Sequence, residues 1–370
     1  MVAEMRPLYV VLGTRAQVIK MAPIMRELSR RDIPYNLVHT GQHHESIRES
    51  LYEFGLQPPD VYLDRRNGEA ETREDFARWL LRVVPRMCSK ARSIIRRPGE
   101  MLIHGDTVST VLGALLGKLS GCTIVHVEAG LRSFDIWNPF PEELCRLAAF
   151  YLADHYLCPD EEAAANLSRY PGKKIVLGGN TLYDSVRFAL ERGGRASDFS
   201  QPYAVASIHR YENVFDQERF ESIILPELLE ISGQVPVIFV LHPVTRRALV
   251  RYGWWEEMKA TEGIRLCERM GYVHFINLLR DAEFVVTDGG SNQEELSYLG
   301  VPCLLLRKAT ERQEGLGANV MLSGLEKVEV HRFLQDYQAF ATSGSEPAVS
   351  PSRRAVDFIT QLTVCQPGGK

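Results

Sequence analysis

Long apolar runs are missing from this chain of 370 residues: none approaches the roughly 20 residues that cross a bilayer, so membrane insertion is not expected. The opening stretch MVAEMRPLYVVLGTR passes from a short polar lead straight into a strand pattern, so secretion is not expected either, and the reading is a cytoplasmic protein. Charge of one sign is also missing. A formal net charge of −4, with 24% charged and 45% hydrophobic residues, provides no basic field for nucleic acid. Cysteines at 88, 122, 145, 158, 267, 303 and 365 are odd in number and form no CxxC pair. Most lie inside apolar runs such as GCTIVHV and VPCLLL, so they read as buried reduced thiols. The histidines are scattered, with no HExxH and no Cys/His ligand spacing, so no metal site is expected. His43 and His44 read as neighbours at a helix start or in a loop. Neither GxGxxG nor GxxxxGK[ST] occurs, which withholds both the dinucleotide and the P-loop signatures. There is no low-complexity segment and no fixed-period repeat.

What is present is an alternation of short apolar runs with longer ones whose apolar residues recur three and four apart. That is the pattern of βα units, a parallel sheet covered by helices. The length suggests two domains at about 150 residues each. Strands are expected at 8–13, 35–40, 100–105, 122–130, 155–159 and 174–179, with helices in QVIKMAPIMRELSRR and DFARWLLRVVPRMCSKARSII. The segment 180–200 is a helical pattern broken by Gly193 and Gly194 and then by small polar residues, which suits a linker. The domains are therefore set at 1–185 and 186–370. In the second, YAVASIHR, PVIFVLHP, GIRLCERM, EFVVTDGG and VPCLLLR read as strands. The final helix, opening at Pro351, is expected to pack back on the first domain.

Polar residues collect just beyond the predicted strand ends, where open α/β sheets bind ligands and the next helices point N–H groups. GTRAQVIK (13–20) offers the planar fork of Arg15 and the cation Lys20 to a phosphate, or is a strand–turn–helix with solvated bases. Asp106 in HGDT is a candidate acid or a helix cap. Glu128, four residues before Arg132, ends a strongly apolar strand, where an acid is costly unless paired or used. In PFPEELCR, Glu142 and Glu143 begin a helix, and Arg146 lies at i+4 from Glu142. In the second domain His209 and Arg210 follow one strand and His242 another. TDGGSNQEE places Gly289, Gly290 and Ser291 where backbone N–H groups can approach a diphosphate, with Glu294 or Glu295 near ribose hydroxyls. Arg312 is placed to close on the same ligand.

Taken in order, GTRAQVIKMAPI, TGQHHES, HGDT, HVEAGLRS, PFPEE, GNTLYDSV, HRYEN, GGSNQEE, LGVPCLLLR and TER resemble the non-hydrolysing UDP-N-acetylglucosamine 2-epimerases over residues 8–325. The resemblance implies a glycosyltransferase-B architecture, two Rossmann-like parallel-sheet domains with an interdomain active-site cleft. It implies an isomerase that uses neither NAD nor metal, eliminates UDP through a 2-acetamidoglucal and re-adds it on the other face to give UDP-ManNAc. Asp106, Glu128, Glu142 and His209 are then the catalytic set. Arg15, Lys20, Arg132, Arg210, His242, Phe275, Gly289, Gly290, Ser291, Glu295 and Arg312 are the UDP and substrate contacts, with Phe275 beside the uracil. A homodimer through the first domain is also implied. A hydrolysing 2-epimerase releasing UDP and ManNAc, or a glycosyltransferase of the same architecture, are the alternatives. Two departures stand out: the family's GTRPE is GTRAQ here, placing Gln17 where an acid is usual, and its DSGG is Asp288-Gly289-Gly290-Ser291, moving a hydroxyl by two positions. Both point to a rearranged phosphate cradle. Gln42 is kept, but Glu45 stands where a second glutamine of the family's activator site is usual.

Overall fold

The structure, a computed structural model, describes residues 5–66, 72–137, 140–194, 201–310 and 312–363. It divides into two compact units, Met1–Ser185 with Pro347–Lys370, and Val186–Glu346. Cys365, Asn138, Pro139 of the PFPEE segment, residues 195–200 of the linker and Glu311 of TER lie outside the described residues.

The first unit holds a parallel sheet of β1 (Leu8–Leu12), β2 (Asn36–His39), β3 (Val61–Tyr62), β4 (Glu100–His104), β5 (Thr123–Val127), β6 (His155–Cys158) and β7 (Lys173–Val176). Its spatial order is β3-β2-β1-β4-β5-β6-β7. Alternation explains why the strands read as continuous apolar runs. Along β1, Tyr9 and Val11 enter one core layer with Met101, Ile103 and Leu116, while Leu8, Val10 and Leu12 enter the other with Val18, Met21 and Leu102. Both faces are dry, as a parallel sheet requires. The last helix, Pro351–Thr363, adds Ala355, Val356 and Ile359 to the second layer, and its Ser352 N–H donates to Asp184 Oδ2 at 2.8 Å.

In the second unit β8 (Ala204–Ser207), β9 (Val237–Leu241), β10 (Ile264–Glu268), β11 (Phe284–Thr287), β12 (Cys303–Leu305) and β13 (Val320–Leu322) form a sheet in the order β10-β9-β8-β11-β12-β13, also parallel. The sequence reading misses β3 and β13, the outer strands on one edge of each sheet. At two and three residues they are too short to carry an alternating pattern. GQHHES opens a real helix, Glu45–Glu53, with His44 at its cap position. The 180–200 segment is helical over Leu182–Arg192 before the glycine pair.

Strand order reverses between β1 and β4 in one sheet and between β8 and β11 in the other. Those are the switch points where adjoining loops part and leave a crevice beyond the strand ends. The first holds the turns of Arg15 and Asp106. The second holds those of His209 and Asp288.

Candidate active site

In the first unit the turn after β1 is fixed by an amide. Thr14 caps the helix Arg15–Arg30, and Gln17 completes the capping box. Gln17 Oε1 accepts the N–H groups of Gly13 at 2.9 Å and Thr14 at 3.2 Å, while Nε2 donates to the His104 carbonyl at 2.8 Å and to Thr110 Oγ1 at 3.0 Å. A carboxylate has no N–H to give the carbonyl. The departure at Gln17 is thus a tie between the exits of β1 and β4, with both ends of the amide engaged inside the protein. Gly13 has no room for a Cβ, which would fall 1.9 Å from Ser109 Oγ and 2.3 Å from Thr40 Oγ1.

Asp106 is not the cap of the helix Val108–Leu119. Thr107 is, accepting the Thr110 N–H, and Asp106 instead takes a hydrogen bond from Arg146 Nη2 at 2.6 Å with its side chain 30% exposed. Arg146 does not form the expected i,i+4 pair with Glu142: its Nη1 donates to Glu143 at 3.2 Å. Glu143 is fully buried and also receives Arg132 Nε and, at 3.1 Å, the Ser133 N–H. Burial alone would raise its pKa, but these donors outweigh it and hold the carboxyl below its ordinary value. Glu143 is therefore a structural anion, and Glu142, half-buried in the same first turn, is the one of the pair outside this ion cluster. Arg132, read from sequence as a ligand contact, is held by Glu143 and lies 4.8 Å from the Phe134 ring.

Glu128 leaves β5 with φ +59°, the left-handed region that a side chain with a Cβ adopts at a cost of about 1 kcal/mol. Its side chain is 8% exposed and ion-paired to Lys20, itself buried, which corrects the solvated-base reading of that lysine. Asn180 Nδ2 donates to Glu128 Oε1 at 2.5 Å, and His104 Nε2 stands 3.4 Å from Oε2. Asp106 shares neighbours with each of the other two acids. His104 and His126 each lie in the field of both Glu128 and Asp106, although burial, the larger effect, takes each imidazole pKa down to about 4. The Cys145 thiol is pushed up to about 12 by burial and then by Asp106 and Glu142. Carboxylates gathered at one switch point, with neutral imidazoles behind them, are equipped for proton transfer. Arg15 begins the helix that borders them.

In the second unit Asp288, completely buried, organises the switch point. Its Oδ1 accepts the His209 N–H at 2.9 Å, and its Oδ2 accepts the Arg210 N–H at 3.0 Å and Asn213 Nδ2 at 3.1 Å. In the sequence Asp288 reads only as a strand end, because a buried acid that braces a neighbouring turn has no local signature. His209 and His242 rings lie 5.5 Å apart, and Arg210 reaches Glu212 at 3.2 Å. The helix Gly290–Leu299 begins with buried Gly290 and exposed Ser291 and ends on Gly300 at φ +71°. Of the two acids in its body, Glu294 is bonded by Arg312 Nη1 at 2.5 Å and Tyr298 at 3.0 Å. Glu295 receives Asn292 Nδ2 at 3.0 Å and lies beside the buried Tyr272 hydroxyl, whose pKa burial and then Glu295 push well up. Phe275 is half-buried on the helix Tyr272–Arg280. A helix N-terminus beside a histidine pair and an arginine suits a diphosphate. Among the described residues no group of three or more His, Cys, Asp or Glu side chains is arranged to hold a metal ion, and no helix is long and apolar enough to cross a membrane.

The UDP-N-acetylglucosamine 2-epimerase of Methanocaldococcus jannaschii is 31% identical over 330 residues, 85% of this chain and 88% of that protein. A crystal structure of that organism's UDP-GlcNAc 2-epimerase with UDP-GlcNAc and UDP superposes with a TM-score of 0.80 at 28% identity, covering 96% of this chain and 99% of the other. The UDP-2,3-diacetamido-2,3-dideoxy-D-glucuronate 2-epimerase of Pseudomonas aeruginosa is 32% identical, over 84% of this chain and 87% of its own. The fold is of the glycosyltransferase-B type, two parallel-sheet α/β domains. The sequence model describing UDP-N-acetylglucosamine 2-epimerases matches residues 26–351, and the chain belongs to that family of epimerases.

Proposed function

We propose that this enzyme interconverts UDP-GlcNAc and UDP-ManNAc without hydrolysis, the second unit holding the UDP moiety and the acids of the first acting on the sugar. The observation that carries this is that Asp106 and Glu128 both face the buried imidazoles of His104 and His126, that Asp106 and Glu142 both face the buried Cys145, and that Glu128 is held at φ +59°. One carboxylate takes the C2 proton. The C2–H electron pair becomes the C1=C2 bond of the glycal as the C1–O bond breaks and UDP leaves with both electrons. Donors from His209, Arg210 and the N-terminus of Gly290–Leu299 receive the departing charge. Return of a proton to the other face of C2, with UDP re-adding at C1, completes the epimerisation. Arg15, His242, Ser291 and Arg312 complete the diphosphate contacts in this reading, and Phe275 lies beside the uracil.

Product analysis by NMR in D2O tests the proposal. UDP-ManNAc carrying deuterium at C2, formed without any acceptor, is the expected result. Free ManNAc with stoichiometric UDP would instead mark a hydrolysing enzyme, and absence of C2 exchange would mark a transferase. The 32% identity to a diacetamido-glucuronate epimerase supports a second substrate reading, in which the sugar bears a 3-acetamido group and a C6 carboxylate. Comparing kcat/KM for the two nucleotide sugars separates them.

We also infer a homodimer through the first unit. Leu81 and Val84 of helix Arg73–Ile94, Leu115 and Leu119 of helix Val108–Leu119, and Leu144 and Tyr151 of helix Glu142–Leu152 are exposed on helices that pack side by side. An apolar array of this kind marks an interaction surface. Light scattering should give twice the chain mass of 41.9 kDa, and a monomer would refute the inference. The six described cysteines are unbridged, four of them buried, which supports a reducing, cytoplasmic location.

A further inference from the structure

Where the chain enters the helix Gly290–Leu299, one absent side chain interlocks with three that are present. A Cβ at Gly289 would lie 2.7 Å from His209 Cε1 and 2.8 Å from Asn292 Oδ1, both inside van der Waals contact, so a neighbour would have to shift. Neither neighbour is a loose chain end. His209 is tethered through its backbone to Asp288 Oδ1, and its ring Nδ1 stands 3.5 Å from the same oxygen. Asn292 is 9% exposed, with Oδ1 3.1 Å from Thr287 Oγ1 and Nδ2 donating to Glu295 at 3.0 Å. Thr287 Oγ1 in turn accepts the Gly289 N–H at 3.1 Å. The carboxamide of Asn292 therefore faces the imidazole socket with its oxygen and Glu295 with its nitrogen.

We propose that Gly289 and Asn292 act as a matched pair, in which Asn292 is a positioning residue that orients Glu295 toward the ribose hydroxyls and walls the space, opened by the missing Cβ, in which the His209 imidazole lies. The proposal rests on the assignment of UDP to the second unit. It assigns a role to the shifted glycine: the space a side chain would fill at 289 belongs to the histidine, and Asn292 bounds it. Nucleotide selectivity and histidine placement then share one amide.

Calorimetric titration of the purified full-length enzyme with UDP, 2′-deoxy-UDP and 3′-deoxy-UDP, alongside steady-state epimerisation, tests this. For Asn292→Ala the expected result is an approximately ten-fold weaker Kd for UDP, with preference over the deoxynucleotides reduced by a similar factor and KM altered more than kcat. Gly289→Ser should lower kcat at least ten-fold by displacing His209. Combining it with Asn292→Ala, which vacates the space at 2.8 Å, should recover part of that loss. Wild-type protein that does not bind UDP would overturn the nucleotide assignment itself. Wild-type binding, with Asn292→Ala keeping full ribose discrimination, would overturn the pairing alone. If Gly289→Ser does not fold, Asn292→Ala decides by itself, since it removes atoms and adds none.

Discussion

Asp106→Asn, Glu128→Gln and Glu142→Gln should each lower kcat for C2 epimerisation by about 100- to 10,000-fold, while UDP binding stays within a few-fold of wild type. The substitutions are isosteric, so they remove proton capacity and charge with little change of shape. Their side effects differ, and that difference identifies the residues. Asp106→Asn leaves Arg146 with a full ionic partner, Glu143, so its thermal stability should be close to wild type. Glu128→Gln leaves the buried Lys20 without its counter-charge, and a loss of about 3 kcal/mol in unfolding free energy accompanies the lost activity. Glu142→Gln leaves the Lys20–Glu128 and Arg132–Glu143–Arg146 ion pairs intact, so its stability cost should be smaller than that of Glu128→Gln. Deuterium exchange at C2 provides the measurement, with denaturant midpoints beside it. A variant at any of the three positions that retains more than a tenth of wild-type exchange removes that residue from the chemistry.

Acid should unfold this protein early. Burial is the main reason that His39, His104 and His126 have pKa values taken down to about 4, against an ordinary value of 6.5. Between those two pH values the unfolded chain binds protons at these positions and the folded one does not. Stability is therefore full above pH 6.5, falls as pH drops through the unfolded value, and levels off for these groups only near pH 4. The slope is on the order of 1 kcal/mol per pH unit for each histidine. His126 shows why protonation is resisted. Its Nε2 is satisfied by the Gly105 carbonyl at 2.8 Å, and a second proton would go to Nδ1, a buried atom with no partner among the described residues. Glu143 acts in a lower window: its depressed pKa contributes stability above the ordinary carboxylate value, which is lost as pH falls below it. Urea unfolding of wild type and His126→Asn at intervals from pH 7.5 to 4.5 tests this, and an identical pH slope for the two proteins would refute it.

Much of this was legible because the chemistry sits where strands end. The runs LYVVL, EMLIH and FVVT announce central strands by their composition, and the residues that follow them, Arg15, Asp106 and Asp288 among them, are placed by the topology alone. What could not be read depends on contacts far apart in the chain. Glu142 and Glu143 are identical in type and adjacent, and only the distant Arg132 with Arg146 decides which is buried. Lys20 reads as a phosphate contact or a solvated base until Glu128, 108 residues later, is brought beside it. Gln17 reads as a loss from the phosphate cradle because its second partner, the His104 carbonyl, is 87 residues away. The missed strands β3 and β13 are the local failures, set by length.

The tie made by Gln17 has an entropic consequence. One amide spans the turn before Arg15 and the strand end before Asp106, and both helices that follow are closed by capping boxes. The two turns therefore share one rigid frame, and ordering residues on binding, which commonly costs about 0.5–1.5 kcal/mol for each immobilised side chain, has largely been met at the folding step. A ligand meeting turns fixed in this way finds a template already set, so its binding energy is available for distorting the ligand rather than for arranging the protein.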